Sequence, residues 1–148
     1  MAHAFIEHLL EDHKQQRQLA ALLSQATTLE DKGKYRQALY DALYPHIEGE
    51  DASIFDFLKQ VGGETRMEAL EAMQEHHIDR ILLREIMALD LDDEVLTAKA
   101  KVLEEVNDHH LDEEEEEHFP RLVGLASNEE LDELFEKYES REEQVKQG

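Results

Sequence analysis

The sequence predicts an all-α fold, an up-down-up-down four-helix bundle with a short fifth helix at the C-terminus. Three observations predict it. The chain of 148 residues has only two prolines and six glycines, and good helix formers such as Leu, Glu, Ala, Gln and Lys dominate it. Apolar residues recur three and four positions apart over long stretches, which is the period of one helix face. The breaks between those stretches are short, so consecutive helices are antiparallel neighbours. A chain of this length buries a core without staples or a second domain. Residues 1–148 are therefore read as one domain, with the bundle over 1–125 and an acidic C-terminal helix and tail over 127–148.

Phe5, Ile6, Leu9, Leu10, Ala20 and Leu23 mark a first helix over roughly 2–27, with His13 one turn after Leu9 and Leu10, and the polar Thr27-Thr28 and Gly33 region ends it. A second helix, roughly 34–60, carries Leu39, Leu43, His46, Ile47, Glu50 and Ile54 and stops at Gly62-Gly63. Pro45 removes a backbone donor within it and is expected to kink it next to His46. The third helix, roughly 64–89, is apolar nearly all round in its second half, through Ile78, Ile81, Leu82, Leu83, Ile86 and Met87, and is expected to be the most buried. A fourth follows the Asp90 to Asp93 cluster, a candidate N-cap, and runs through Leu96, Leu103, Val106 and His110 to about residue 117, before Phe119-Pro120. Ser127-x-x-Glu130 is a capping-box signature that opens a fifth helix to about residue 142, with Leu131, Leu134 and Phe135 to dock it on the bundle.

Composition excludes several function classes. Thirty-seven acidic against fifteen basic residues give a formal charge of -22, which repels nucleic-acid phosphates and anionic membranes. No cysteine is present, so thiolate metal sites, iron-sulfur clusters and cysteine nucleophiles are out. Residues 1 to 24 lack the cationic start and apolar run of a signal peptide, and nothing approaches a membrane span. The expectation is a soluble, cytoplasmic protein with no nucleic-acid or membrane partner; a protein partner is not identifiable. The serines lie in no nucleophile-elbow context, and no Gly-rich phosphate loop occurs.

Two spacings carry the chemistry: His46-x-x-x-Glu50 and His110-x-x-x-Glu114, each on an apolar stripe. Residues four apart share a helix face, so each pair presents an imidazole and a carboxylate to one point. A glutamate on a buried face is costly unless something compensates its charge, and a cation does so. With His13 on the first helix and His76-His77 on the third, four helices bring stripe histidines and two of them bring inward carboxylates. Neutral imidazoles and carboxylates suit iron, manganese or zinc, and six ligands exceed one tetrahedral zinc, so two metals are implied. In the run Glu113 to Glu117 only Glu114 lines up one turn beyond His110, while His109 points about a quarter turn away. The apolar pattern leaves His76 and His77 open, slightly favouring His77. His3, His8 and His118 are read as surface or supporting residues, although His118 continues the stripe from Glu114. A ferritin-like carboxylate site needs two Glu-x-x-His motifs, and the chain offers only Glu115-x-x-His118.

The motifs Leu9-Leu10-Glu11-Asp12-His13-Lys14, His46-Ile47-Glu48-Gly49-Glu50-Asp51, Gln74-Glu75-His76-His77-Ile78-Asp79-Arg80 and the run His109 to Pro120, with His110, Glu114 and the closing Phe119-Pro120, resemble those of hemerythrin-like (HHE cation-binding) domains. The resemblance covers essentially the whole chain. It implies a non-heme centre of two iron ions, oxo- or hydroxo-bridged, held by His13, His46, His76, His110, Glu50 and Glu114 with the glutamates bridging; manganese or zinc rank behind. The basic residue four positions on, Arg80, favours His76 over His77 by that likeness.

The oxygen carriers of the family have a third-helix His-x-x-x-His and a fourth-helix His-x-x-x-x-Asp. Here Arg80 and Ile81 stand four residues after the two histidines, so the fifth histidine is missing. Positions left to water favour redox chemistry or sensing over storage. The implied function is a di-iron protein that reacts with or senses O2, peroxide or nitric oxide, with weak peroxide consumption as one form of it. No catalytic residue is assigned, and whether the protein is an enzyme stays open. The alternatives are a metal-responsive interaction module, an iron-binding protein without catalysis, and a structural bundle that holds zinc or nothing.

Overall fold

A computed structural model describes residues 2–148, and helices make up nearly all of it. In chain order these are α1 (Ala4–Gln25), α2 (Leu29–Ala52), α3 (Ile54–Val61), α4 (Gly63–Ala88), α5 (Glu94–Glu113), a π-helical turn (Glu114–His118), α6 (Phe119–Leu125) and α7 (Asn128–Gln147). No strand occurs among the described residues. The long helices α1, α2, α4 and α5 form a closed ring of neighbours, α1 on α2, α2 on α4, α4 on α5 and α5 back on α1. This is the expected four-helix bundle, with α7 packed along α2. No helix among the described residues is long and apolar enough to cross a membrane.

Side chains set most of the helix starts. The His3 ring accepts from the Phe5 amide, Thr28 from Asp31 and Asp93 from Val95. Ser127 and Glu130 form the reciprocal box that the sequence signals, and each bond satisfies an amide that the helix cannot. Because the Thr28 cap starts α2 at Leu29, Gly33 lies inside that helix instead of in a connection. Gly62 and Gly63 have φ of 87° and 60°, a left-handed conformation that suits glycine and turns α3 into α4.

The second helix is broken where no break was expected. Ser53 leaves helical geometry, and its hydroxyl donates to the Gly49 carbonyl at 2.7 Å, a bond that competes with the backbone ladder and bends helices. The chain remains helical through Pro45, so the interruption falls at Ser53 and not beside His46. The fourth helix, in contrast, does not stop before Phe119-Pro120. The amide of Phe119 reaches back five residues to the Glu114 carbonyl, and this wider turn carries the chain into α6 despite the missing amide of Pro120. The fifth helix extends to Gln147, beyond the expected end near residue 142.

The core has two apolar clusters. One gathers Phe5, Leu9, Phe55, Leu58, Phe119 and Leu122 with the inner face of α7; the other gathers Leu23, Leu39, Leu43, Leu83, Ile86 and Leu103. Each of the four bundle helices carries buried polar residues beside its apolar ones: His13 and Gln16, His46 and Glu50, His76 and Asp79, Asn107 and His110. The third predicted helix, α4, is not the most buried. Ile78 and Ile81 are exposed, because the inward face runs through His76, Asp79, Leu83 and Ile86.

Candidate metal centre

The polar layer between the two apolar clusters brings five of the six expected residues together. His13 comes from α1, His46 and Glu50 from α2, His76 from α4 and Glu114 from the π turn, and all are buried. Glu50 lies 3.3 Å from His46 Nε2, 3.4 Å from His76 Nε2 and 3.8 Å from His13 Nε2. Glu114 lies 3.1 Å from both His13 Nε2 and His76 Nε2. Each carboxylate therefore faces imidazoles from more than one helix. His110 is buried and lines a recess with His76 and Glu114. Its nitrogens, however, meet Glu75 at 2.8 Å and Asp79 at 3.2 Å instead of the two central glutamates.

The doublets resolve by burial. His76 faces inward while its neighbour His77 is exposed, and His109 is exposed beside buried His110. His118 is not at the surface: it is buried, lines the same recess and sets its ring edge-on to Phe55. His3 caps α1 and pairs with Asp132 of α7, and His8 lies near Asp12.

Sequence reasoning missed the residues that hold the histidines from behind. His13 Nδ1 donates to Glu115 at 2.8 Å, His46 Nδ1 to Asp12 at 3.1 Å, His76 Nδ1 to Asp51 at 2.7 Å and His110 Nδ1 to Asp79 at 3.2 Å. A carboxylate on one ring nitrogen fixes the tautomer and aims the other nitrogen inward. The pattern is cyclic. Asp12 of α1 serves α2, Asp51 of α2 serves α4, Asp79 of α4 serves α5, and Glu115 after α5 serves α1. Asp12, Asp51 and Glu115 each adjoin an expected ligand in sequence, and that adjacency was the available signal. Cations hold two of these outer carboxylates in turn. Arg80 donates to Asp51 and Glu48, and Arg17 to Glu115 and Asp112.

These neighbours set the ionisation. Burial alone pulls the His13 imidazole down, but Glu114, Glu115 and Glu50 outweigh it and raise it to about 11. Burial likewise lowers His46, and Glu50 and Asp12 overcome it to bring the ring to about 9. His76 is raised well above the usual imidazole range, since Asp51 and Glu114 outweigh its burial. Glu114 moves the other way. Burial would raise its carboxyl, but His13 and His76 hold it well below the usual range.

The donors fit a cation. His13 Nε2, His46 Nε2, Glu50 Oε2 and Glu114 Oε1 are buried without a hydrogen-bond partner, and one ligand atom from each of these residues falls within 4.8 Å of all the others. His13 Nε2 and Glu114 Oε1 are close, at 3.1 Å, yet do not meet in hydrogen-bonding geometry. Buried polar atoms normally find partners, and a cation among two imidazoles and two carboxylates would partner all four at once. Gln16, one turn after His13, is also buried with neither amide atom bonded.

A family model for the hemerythrin HHE cation-binding domain matches residues 4–122. No curated protein matches the chain, and no solved structure does. The match spans most of the chain and takes in every residue of the cluster, so the chain belongs to the hemerythrin HHE cation-binding domain family.

Proposed function

We propose that the protein holds two iron ions between α1, α2, α4 and α5 and uses them to react with or sense O2, peroxide or nitric oxide. The ligands in this reading are His13, His46, His76, His110, Glu50 and Glu114. The observation that carries it is the double reach of the two glutamates: Glu50 approaches imidazoles of three helices and Glu114 imidazoles of two. Such carboxylates suit a pair of cations better than one. Glu75 holds Nε2 of His110, so among the six His110 must exchange a partner to join.

When bound there by these residues, iron would provide one-electron redox chemistry toward a small ligand. The chain does the rest. The two apolar clusters exclude bulk water from the layer between them. Outer carboxylates hold the protons at Nδ1 of each histidine and leave Nε2 of His13, His46 and His76 facing the central glutamates. The recess between α4 and the end of α5, lined by His76, His110, Glu114 and His118, is small and polar. It has no room for an organic substrate. A metal-responsive interaction module is the second reading, favoured by the outer carboxylates that tie each site histidine to a neighbouring helix.

Anaerobic reconstitution with ferrous iron tests the proposal. The expected result is about two metal ions per chain and charge-transfer absorption in the near ultraviolet after exposure to air. One zinc per chain, or no metal, would refute it. Peroxide turnover by the loaded protein then separates a reactive centre from a sensing one.

A further inference from the structure

Helix α7 lies beyond the segment that the family model matches, yet it reaches the centre. Its Tyr138 is fully buried, and the hydroxyl lies 2.7 Å from His46 Nδ1, 2.7 Å from Asp12 Oδ2 and 3.1 Å from Glu142 Oε2. A phenol has one proton to give. Both carboxylates can only accept, so the proton goes to one of them, with Asp12 the nearer. The phenol oxygen is then free to accept from His46, and this requires the imidazole proton on Nδ1. Nε2 of His46 is thereby left to face Glu50.

The docking of α7 is built around this contact. The Tyr138 ring lies against Gly49, one residue before Glu50, where a Cβ would come within 2.7 Å of the ring. Arg141 reaches Glu48 at 3.0 Å, and Phe135 stacks on Phe5 with ring centroids 5.0 Å apart. A bare patch on α2 beside a central glutamate thus receives the tyrosine, with an ion pair on one side and an aromatic stack on the other.

The geometry points to Tyr138 as a positioning residue for the metal centre: α7 supplies a phenol that orients His46 jointly with Asp12 and so governs how firmly the α2 side of the centre holds its metal. This rests on the metal reading above. The phenol adds an uncharged acceptor to the carboxylate that every site histidine already has, and among the four only His46 receives one.

The test uses the full chain with Tyr138→Phe, which keeps the ring and removes the hydroxyl, beside Phe135→Leu, which weakens α7 packing away from the site histidines. In the metal-free proteins, the expected result is a moved His46 imidazole 15N signal in Y138F and an unmoved one in F135L. After iron loading, Y138F should lose metal to excess chelator about tenfold faster and show a shifted charge-transfer maximum. F135L should lower Tm and leave both site readouts as in the wild type. Equal metal loss and equal spectra for Y138F and wild type overturn this inference alone, as does a parallel change in F135L, which would make the role merely structural. Wild-type protein that takes up no metal overturns both this inference and the function proposed above.

Discussion

Asp51 follows Glu50 on α2, yet its carboxylate accepts from Nδ1 of His76 on α4, at 2.7 Å. Arg80, one turn beyond His76 on α4, donates to the other oxygen of the same carboxylate. A central glutamate and the group that aims the neighbouring helix's histidine are therefore consecutive residues. The Arg80 guanidinium closes the loop back to α4, so Asp51 is held from two sides by the helix it serves.

Asp51→Asn is expected to weaken metal binding about 10- to 100-fold without removing any ligand. The amide keeps the size of the side chain but loses the charge that holds the His76 proton. Competition against a chromophoric chelator measures the change. Unchanged affinity would mean that His76 is oriented by packing against Phe55 alone.

Glu50→Ala and Glu114→Ala should each abolish stoichiometric metal uptake, since each removes a carboxylate facing imidazoles of several helices. Glu116→Ala and His77→Ala should leave uptake intact, because both side chains are exposed. Metal analysis after gel filtration reads the outcome, and equal losses across the four variants would refute the assignment. His110→Ala tells whether the residue held by Glu75 and Asp79 belongs to the centre; the expected result is loss of roughly half the bound metal.

The metal-free protein should lose stability as pH rises. His13 at about 11 and His46 at about 9 both stand above the ordinary imidazole value of 6.5. Their charged forms therefore contribute in full below about 6.5, and that contribution disappears as pH climbs through 9 and then 11. Thermal melts of metal-free protein should show Tm falling between about pH 7 and pH 10, with a smaller fall once metal is bound. Metal displaces the same protons, so loading at neutral pH in weak buffer should acidify the solution. A flat Tm profile with no proton release would show that the rings are neutral in the fold.

Gln16→Leu is expected to stabilise the metal-free protein by about 1 kcal/mol, because the buried amide has no partner for either polar atom. Denaturant melts give the value. A loss of stability instead would identify a buried water that satisfies the amide.

The bundle and its inward stripe were legible because both follow from local spacing. His46 with Glu50 and the alignment of Glu114 with His110 are features of one helix each, visible as residues four apart on an apolar face. Choosing between His76 and His77 was harder. Ile78 and Ile81 pull the apolar pattern toward His77, but both are exposed, and the true inward face is marked by the polar residue Asp79. Contacts across the fold leave no period at all. Tyr138 meets Asp12 from 126 residues away, and nothing in the spacing of either residue announces it. The Ser53 break and the π turn at Glu114–His118 escaped for a related reason, since each depends on one backbone carbonyl finding an unusual donor.

The cycle in which each helix lends a carboxylate to the next helix's histidine has a consequence for how the chain can vary. Connections of any length would preserve it, provided the circular order of α1, α2, α4 and α5 is kept. Exchanging two neighbouring helices would not, even with both apolar clusters intact, because the lenders would then face the wrong borrowers. The order of the helices is thus written twice, once in the links between them and once in the polar layer they enclose.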